Sequence, residues 1–265
     1  MEILLLASGS SGNCALIRAG LGSQTTTVVL DCGIAQRTAR DLARTAGAQL
    51  TSADAVLLSH GHSDHAANVV PVAARAKAPL FAHPDALLHS SATRESERKR
   101  RKIQDRPFES GSPFVIGALQ CTPIRLSHDA EPTHGFLFEA DGLRAGFFTD
   151  LGETESLPSG LLDGLDFLVL EFNHDTEMLR NGPYPPHLQD RIAGPQGHLS
   201  NAQAERYLAE QAPSSLKQLA LAHLSQKNNA PGRALHRAER ALKARGLTDV
   251  DIQVAQARGL LRLAL

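Results

Sequence analysis

The segment at residues 59–65, with the sequence SHGHSDH, constrains this chain more than any other feature. It holds three histidines and one aspartate, and it directly follows the apolar run at residues 55–58. That run is too short for a buried helix and is typical of a buried strand. Neutral imidazole and carboxylate groups are ligands for zinc, manganese and iron. A solvated polar turn is the alternative, but ligands at this spacing just past a strand favour a metal site.

The number of ligands in this segment indicates how many ions to expect. The candidates are His60, His62, Asp64 and His65. A catalytic ion typically uses three protein ligands and a water, so these four exceed the need of one ion, yet they lie too close along the chain to surround two. Two ions about 3.5–4 Å apart clamp the attacking and leaving oxygens of a displacement. We therefore expect two divalent metal ions, zinc or manganese, and further ligands at the ends of later strands.

Three later residues meet this expectation because each follows a predicted strand. They are His128 after the strand that begins at residue 119, Asp150 after residues 144–148 and His223 after residues 219–222. For Asp150, a turn or helix cap is the alternative.

Asp31 closes another predicted strand, at residues 25–30. Its carboxylate could orient a metal-binding histidine without touching the metal. It could equally cap the helix predicted at residues 34–46. The sequence leaves both interpretations open.

Composition limits the class of protein. A chain of 265 residues can bury a sizeable core, and with no linker or repeat in it we expect a single domain over residues 1–265. The net charge of −1 predicts no general affinity for nucleic acid. The three widely spaced cysteines favour buried free thiols in a reducing compartment. The first residues lack a basic region, and no apolar stretch approaches the ~18 residues of a membrane span, so we expect a soluble cytoplasmic protein.

Residues 93–106 form a strongly basic segment that includes Arg98 and Arg101. Such a run is often a solvated face. The alternative is an arm that meets a phosphate backbone, together with the basic residues at 233–245. His83 and His89 flank a short helical piece nearby and are minor candidates for metal contact.

The order of these acids and histidines along the chain resembles that of the metallo-β-lactamase fold superfamily. This resemblance implies an α/β protein with a four-layer αβ/βα sandwich and a dinuclear site at one sheet edge. It assigns His60, His62 and His128 to one ion. It assigns Asp64, His65 and His223 to the other. Asp150 then bridges the two ions, and Asp31 supports the ligands from outside.

Four shorter motifs resemble a narrower group, the YycJ/WalJ group. They are SGSSGNC at residues 8–14, EFNHD at 171–175, GHLSN at 197–201 and AHLSQKNN at 222–229. The group is described as 5′→3′ DNA exonucleases, with tRNase Z and a cyclic phosphodiesterase of phosphonate breakdown as relatives. In those relatives the histidine of the GHLS-like motif acts on the leaving oxygen, which implies this role for His198.

These observations predict metal-assisted hydrolysis of a phosphodiester in DNA, or in RNA. We expect Asp64 to orient the attacking water and His198 to act on the departing oxygen, with His174 as the rival proton donor. The expected phosphate contacts are Ser200, Lys227 and Asn228, with Arg98 and Arg101 along the strand backbone. A small-molecule hydrolase of the same fold, acting on a cyclic nucleotide phosphodiester or a thioester, is the alternative. A non-catalytic DNA-binding or metal-sensing protein is a third.

Overall fold

The computed structural model describes residues 1–20, 22–88, 90–130 and 132–265, and the elements below lie within these ranges. The strands are β1 (Glu2–Ala7), β2 (Cys14–Ala19), β3 (Thr26–Leu30), β4 (Ala55–Leu57), β5 (Leu80–Ala82), β6 (Asp105–Pro107), β7 (Phe114–Ile116), β8 (Leu119–Leu126), β9 (Thr133–Ala140), β10 (Leu143–Phe148), β11 (Phe167–Glu171), β12 (Gln218–Ala222), β13 (Asp251–Val254) and β14 (Leu261–Ala264). The α-helices are α1 (Gln36–Thr45), α2 (Ser63–Ala66), α3 (Val69–Ala76), α4 (Pro84–Leu88), α5 (Glu95–Arg100), α6 (Thr176–Arg180), α7 (Pro186–Ala193), α8 (Asn201–Gln211) and α9 (Pro231–Ala244). Short 3₁₀ turns cover Gly22–Gln24, Leu50–Ser52 and Ser91–Thr93.

The strands form two seven-stranded sheets with related designs. The first sheet has the order β14-β1-β2-β3-β4-β5-β6, and the second has the order β13-β12-β11-β10-β9-β8-β7. In the first sheet β3 to β6 run parallel, and in the second β10 to β13 run parallel. Parallel strands end at the same edge of a sheet, so the loops after them gather the candidate residues there.

Successive side chains along a strand point to opposite faces of its sheet, and this alternation separates the core between the sheets from the outer helical layers. In β1, Ile3 and Leu5 face the core between the two sheets, whereas Leu4 and Leu6 face the helices that cover the first sheet. This period of two is the side-chain period of a strand. Each fully buried leucine contributes roughly 1.5–3 kcal/mol through the loss of apolar surface from water.

Helices complete the sandwich on both outer faces. Side chains of α1 and α3 pack with the outer face of the first sheet, and side chains of α8 and α9 pack with that of the second. The resulting order is helices, sheet, sheet, helices. The predicted four-layer αβ/βα fold is therefore confirmed.

Most predicted elements agree with the structure to within one or two residues, whereas the short elements α2, α5, α6 and β6 were not predicted. The strand β6 consists of exposed residues, so its sequence carries no alternation of apolar and polar side chains. The short helix α6 is capped by Asp175, whose carboxylate accepts hydrogen bonds from the backbone N–H groups of Glu177 and Met178. The three cysteines are buried free thiols, as predicted. Within the described ranges, no helix has the length and apolar character needed to cross a bilayer.

Candidate metal centre

Three candidate residues sit at strand ends with an unusual backbone conformation. Asp31 directly follows β3 and His223 directly follows β12, whereas one residue separates β10 from Asp150. Their φ angles are 56°, 59° and 55°, in the left-handed region. This conformation costs a non-glycine residue on the order of 1–2 kcal/mol, and such strain concentrates at functional sites. The fold therefore stabilises these three turns against a local preference.

The segment at residues 59–65 is held in place through its backbone. After β4 the chain turns into the single-turn helix α2, which carries Asp64 and His65. The backbone carbonyl of Asp64 accepts a hydrogen bond of 2.7 Å from the N–H of Asn13, and that of His65 accepts one of 2.8 Å from the N–H of Cys32. Gly33 permits this packing, since a Cβ atom there would lie 1.6 Å from the Asp64 carbonyl oxygen.

One set of possible ligands consists of His60, His62 and His128, which we call the open group. One ligand atom of each lies within 4.8 Å of the others. His60 and His128 are buried, whereas the His62 side chain is 37% exposed. The family resemblance assigned these three residues to one ion, and the structure brings them together.

A second set consists of Asp64, His65 and His223, which we call the braced group. Its ligand atoms also lie within 4.8 Å of one another. Asp150 lies between the two groups: one carboxylate oxygen is 3.1 Å from His65 Nε2, and the other is 3.6 Å from His223 Nε2 and 3.7 Å from His128 Nε2. This position suits the bridging role that the resemblance implied.

Asp31 orients His65 from behind. Its Oδ2 atom lies 2.8 Å from His65 Nδ1, and the carboxylate also accepts hydrogen bonds from the N–H and hydroxyl of Ser59 at 2.8 and 2.7 Å. A carboxylate on Nδ1 directs Nε2 of the same ring toward a metal. Helix α1 instead starts after Ala35, without a side-chain cap. Of the two interpretations of Asp31, the structure therefore supports orientation of a histidine rather than helix capping.

Glu171 braces the other side of the site and was not singled out in the sequence. It is fully buried at the end of β11, and one carboxylate oxygen accepts hydrogen bonds of 2.8 Å from Nδ1 of both His223 and His198. Although burial opposes its charge, His198 and His223 lower the pKa of Glu171 to about 2. The available signal was an acid at the end of an apolar strand, the same signal that identified Asp150.

Buried atoms without partners test whether a metal fits. Nε2 of His60, His128 and His223 and Oδ2 of Asp150 are buried and make no hydrogen bond to any described residue. Each such atom costs about 1–3 kcal/mol unless something binds it. All four belong to the two groups or to the residue between them. Imidazole nitrogens and carboxylate oxygens are a donor set for divalent transition ions, so the residues fit a metal centre.

The two groups differ in electrostatics. Burial lowers the pKa of His60 well below its usual value, and it also lowers that of His62, so both rings favour the neutral form that binds metal. Although burial opposes the charge on His223, Asp150, Asp64 and Glu171 raise its pKa to about 10. The braced group is thus surrounded by negative charge that can offset a bound cation.

Comparison with known proteins identifies the family. Residues 26–223 match the family model of the β-lactamase superfamily domain. The chain belongs to this superfamily. Exodeoxyribonuclease YycJ of Bacillus anthracis is 28% identical over 232 residues, which cover 86% of this chain and 84% of that protein. Exodeoxyribonuclease WalJ of Streptococcus pneumoniae is 28% identical over 228 residues, which cover 85% and 82%.

A solved structure shows the same architecture. The metallo-β-lactamase fold protein YhfI from Bacillus subtilis has a TM-score of 0.68 and 16% identity, over 99% of this chain and 100% of that chain. The predicted resemblance to the metallo-β-lactamase superfamily and to its YycJ/WalJ group is confirmed. This member of the β-lactamase superfamily is a hydrolytic enzyme, which sets aside the non-catalytic alternative.

The two candidate proton donors of this β-lactamase superfamily member differ in their surroundings. The His198 side chain is 20% exposed beside the braced group, and although burial opposes its charge, Glu171 raises its pKa. His174 is buried, its Nδ1 has no partner among the described residues, and burial lowers its pKa to about 4. At pH 7 the His174 ring is therefore neutral, and a neutral imidazole is a very weak acid. The arrangement favours His198 as the proton donor.

The three predicted phosphate contacts near these histidines differ in exposure and in whether their polar atoms already make hydrogen bonds. The Ser200 hydroxyl caps α8, because it accepts a hydrogen bond from the backbone N–H of Gln203 and donates one to the Gln203 side chain. Asn228 is buried, and both polar atoms of its side chain lack a partner among the described residues. Lys227 is exposed, with its Nζ atom 5.3 Å from the centre of the Tyr184 ring.

The basic segment requires a correction. Arg98 is 7% exposed, and its guanidinium donates to Asp105 at 3.0 Å and to the Thr93 carbonyl, so it anchors α5 to β6 rather than facing a substrate. Arg101 donates to Glu97 at 2.5 Å, and a phosphate contact would have to break this pair. Several arginines of this segment form ion pairs with acids of the same segment. The segment therefore fits a solvated helix better than an unpaired basic arm.

Of the two minor histidine candidates, His83 belongs to none of the metal groups found among the described residues. The His83 ring stacks on that of His134, with the ring centres 5.4 Å apart, and its Nδ1 accepts a hydrogen bond from the Asp85 N–H. His89 lies outside the described residues.

Proposed function

We propose that the chain is a dinuclear, metal-dependent phosphodiesterase, most specifically a 5′→3′ DNA exonuclease. The observation that carries the proposal is the pair of ligand groups with unpartnered buried atoms and His198 beside them. The curated relatives YycJ and WalJ, both named exodeoxyribonucleases, support a nucleic-acid substrate. We extend the proposal to residues 1–265 acting as one catalytic domain in the cytoplasm.

The metal would be held by seven side chains. His60, His62 and His128 would hold one ion, Asp64, His65 and His223 would hold the other, and Asp150 would contact both. Bound divalent cations, zinc or manganese, would withdraw charge from the phosphate and favour deprotonation of the attacking water. Asp31 and Glu171 would keep His65 and His223 oriented, because each holds the Nδ1 of a ligand ring.

His198 supplies the proton for the leaving oxygen. Glu171 accepts a hydrogen bond from its Nδ1, which fixes the ring and stabilises its charged form. The Nε2 atom is then the one available to donate to the departing oxygen. Asp64, which is partly exposed at the mouth of the site, accepts a hydrogen bond from the attacking water. His174 has a smaller part in proton transfer because its ring is neutral at pH 7.

The predicted substrate contacts differ in whether their polar groups already make hydrogen bonds within the described part of the protein. Lys227 is exposed and supplies charge to the phosphate backbone. Asn228 offers a buried amide that has no partner among the described residues. Ser200 contacts phosphate through its hydroxyl only if it shares the bond that caps α8. We therefore expect Lys227 and Asn228 to matter more for binding than Ser200.

A direct experiment uses protein stripped of metal and then supplied with manganese or zinc. The substrates are duplex and single-stranded DNA, and RNA, labelled at the 5′ or the 3′ end. We expect release of labelled mononucleotides from the 5′ end of DNA and none from Asp150→Ala treated in the same way. Wild-type protein that cleaves no diester with either metal would overturn the proposal.

A small-molecule hydrolase acting on a cyclic nucleotide or a thioester is the second candidate. One observation favours it: a pocket of about 160 Å³ beside the open group, lined by residues that include His62, Asp129, Leu188 and Arg191. This volume is below the range of about 300–1,000 Å³ that is usual for ligand pockets, so the pocket admits a small group rather than a strand. If cyclic nucleotides are hydrolysed with a higher kcat/KM than DNA by the same preparation, this candidate replaces the exonuclease.

A further inference from the structure

A groove with no assigned role begins beside the braced group. Three loops form it, at residues 8–13, 223–229 and 255–260. The backbone N–H of Ser8 donates to the carbonyl of Gln256 at 3.1 Å, and the N–H of His223 donates to the Ser8 hydroxyl at 2.8 Å. The same first loop carries Asn13, whose side-chain nitrogen lies 2.8 Å from His65 Nε2. The groove and the metal centre are therefore built on shared loops.

The groove is continuous over three cavities. Their volumes are about 420, 490 and 400 Å³, and Gln256 lines all three. The first cavity starts at Leu224 and Ser225, directly after the ligand His223. The second reaches Ser11, and the third extends away from the metal centre toward Arg262. Each cavity lies within the range of about 300–1,000 Å³ that is usual for ligand-binding sites.

The lining of the groove combines apolar and polar side chains. Leu224, Pro231 and Val254 make the first cavity largely apolar. The polar groups along the whole groove are amides, hydroxyls and arginines, and no carboxylate occurs among the described residues that line it. The principal donors are Ser11, Ser225, Gln226, Gln256 and Arg258. Of these, Gln226, Gln256 and Arg258 are exposed. Uncharged donors with an arginine suit phosphate and sugar oxygens, which occur in every nucleotide and carry no sequence information.

The two sides of the metal centre differ in size. On the side of the open group lies the pocket of about 160 Å³ that borders His62 and Arg191. On the side of the braced group lies the much longer groove. A chain cleaved near one end needs little room on one side of the scissile bond and an extended path on the other.

We propose that this groove holds the retained, single-stranded part of a nucleic acid substrate, without sequence preference. The proposal rests on the proposed phosphodiesterase function and adds a binding path to it. Gln226, Gln256 and Arg258 contact the phosphate backbone of nucleotides beyond the scissile bond. The lining includes no aromatic side chain among its described residues, so binding depends on backbone contacts rather than base stacking.

The test compares substrates of different length. The double variant Gln226→Glu/Gln256→Glu keeps the size of both side chains and places two negative charges in the groove. With manganese-loaded protein, we expect its KM for a 20-nucleotide single strand to rise about tenfold or more. Its KM for a dinucleotide, which is too short to extend along the groove, should change less than twofold. The matched control, Gln49→Glu/Gln211→Glu, adds the same charges at exposed positions elsewhere and should behave as wild type.

A second variant measures the charge contact directly. Arg258→Gln should lower the slope of log KM against log salt concentration by about 0.7 for the long strand, as expected for one lost phosphate contact. Lys243→Gln, at another exposed position, should leave the slope unchanged. Single-stranded RNA should respond as single-stranded DNA does, because the contacts involve the shared backbone.

The outcomes separate the two proposals. If wild type cleaves both substrates and the groove variants keep its KM for the long strand, the groove proposal is wrong and the phosphodiesterase proposal stands. If wild type cleaves neither the strand nor the dinucleotide, the proposed function fails and the groove proposal fails with it. A groove variant that melts at the wild-type temperature and loses only the long-strand affinity supports both.

Discussion

The open group and the braced group use similar ligands but are supported differently by the protein. In the braced group, His65 and His223 each have Nδ1 against a buried carboxylate at 2.8 Å, from Asp31 and Glu171 respectively. In the open group, His60 Nδ1 lies 3.0 Å from the Ser59 hydroxyl, and His128 Nδ1 lies 2.9 Å from the Gly197 carbonyl.

His62 increases this difference because it is the most exposed of the histidine ligands. Its Nε2 lies 3.4 Å from Asp129, a carboxylate that Arg191 also engages. Loss of a group that hydrogen-bonds to a metal ligand typically lowers metal affinity by about 10–100-fold. Because the two sets of candidate ligands are similar, we expect the surrounding carboxylates to decide which set would bind its ion more firmly. We expect the braced group to bind tightly and the open group to exchange its metal.

The largest expected effect comes from removing one ligand of each group. His223→Ala and His62→Ala should each lower kcat/KM by about a thousandfold at low metal concentration, since each loses several kcal/mol of charge stabilisation. Millimolar manganese should restore much of the activity of His62→Ala and little of that of His223→Ala. Equal rescue of the two variants would remove the proposed difference between the groups.

A smaller effect, about a hundredfold in kcat/KM, is expected from Glu171→Gln. The neutral amide lacks the charge that stabilises the two histidine rings, so both His223 and His198 are held less firmly. Asp175→Asn is the control, because Asp175 follows the same strand but caps α6 and pairs with Arg233. Steady-state rates and metal affinity measured on both variants check this prediction. A Glu171→Gln enzyme with wild-type rates would show that the carboxylate has no part in the reaction.

Asp31→Asn and Ser59→Ala compare the supports of the two groups, with the Ser59 hydroxyl also donating to Asp31. Asp31→Asn should weaken the more tightly held ion by about 10–100-fold, because Asp31 holds His65. Ser59→Ala should act mainly on the less tightly held ion, and by less, because its hydroxyl contacts His60 Nδ1 at 3.0 Å. Competition with a fluorescent chelator measures both affinities. The reverse ranking would contradict the assignment of supports.

Much of the fold and the ligand set was predictable, because both depend on local sequence. Apolar runs indicated the strands, and acids and histidines in the loops after those strands indicated the candidate ligands. Glu171 was harder because its role depends on His198 and His223, which lie 27 and 52 residues further along the chain. The burial of Arg98 was also not predictable, since it depends on β6, a strand without an apolar pattern. Long-range contacts decided both cases.

The smallest expected effect concerns His134. This buried histidine belongs to neither ligand group, so its role is expected to be structural. It is buried, its Nε2 lies 2.7 Å from the Ser110 hydroxyl, and burial lowers its pKa to about 4. The unfolded chain, with a pKa near ~6.5 for this residue, takes up the proton first as the pH falls. Stability is therefore present in full above pH ~6.5 and is lost as the pH falls toward 4.

The variant His134→Gln should remove this contribution. Between pH 7 and pH 4.5 the free energy of unfolding of wild type should fall by about 1–3 kcal/mol more than that of the variant. Denaturant unfolding of metal-stripped protein at both pH values provides the measurement. Identical losses in the two proteins would mean that His134 is not held in its neutral form.

Metal content during controlled removal tests the central claim most directly. The loaded protein is dialysed against increasing concentrations of a chelator, and the metal per chain is measured by plasma mass spectrometry. The account predicts two ions per chain at the start and a plateau at one ion after the first has left. In His62→Ala that plateau should be present from the beginning. A single ion at saturation, or the loss of both ions together with no plateau, would contradict it.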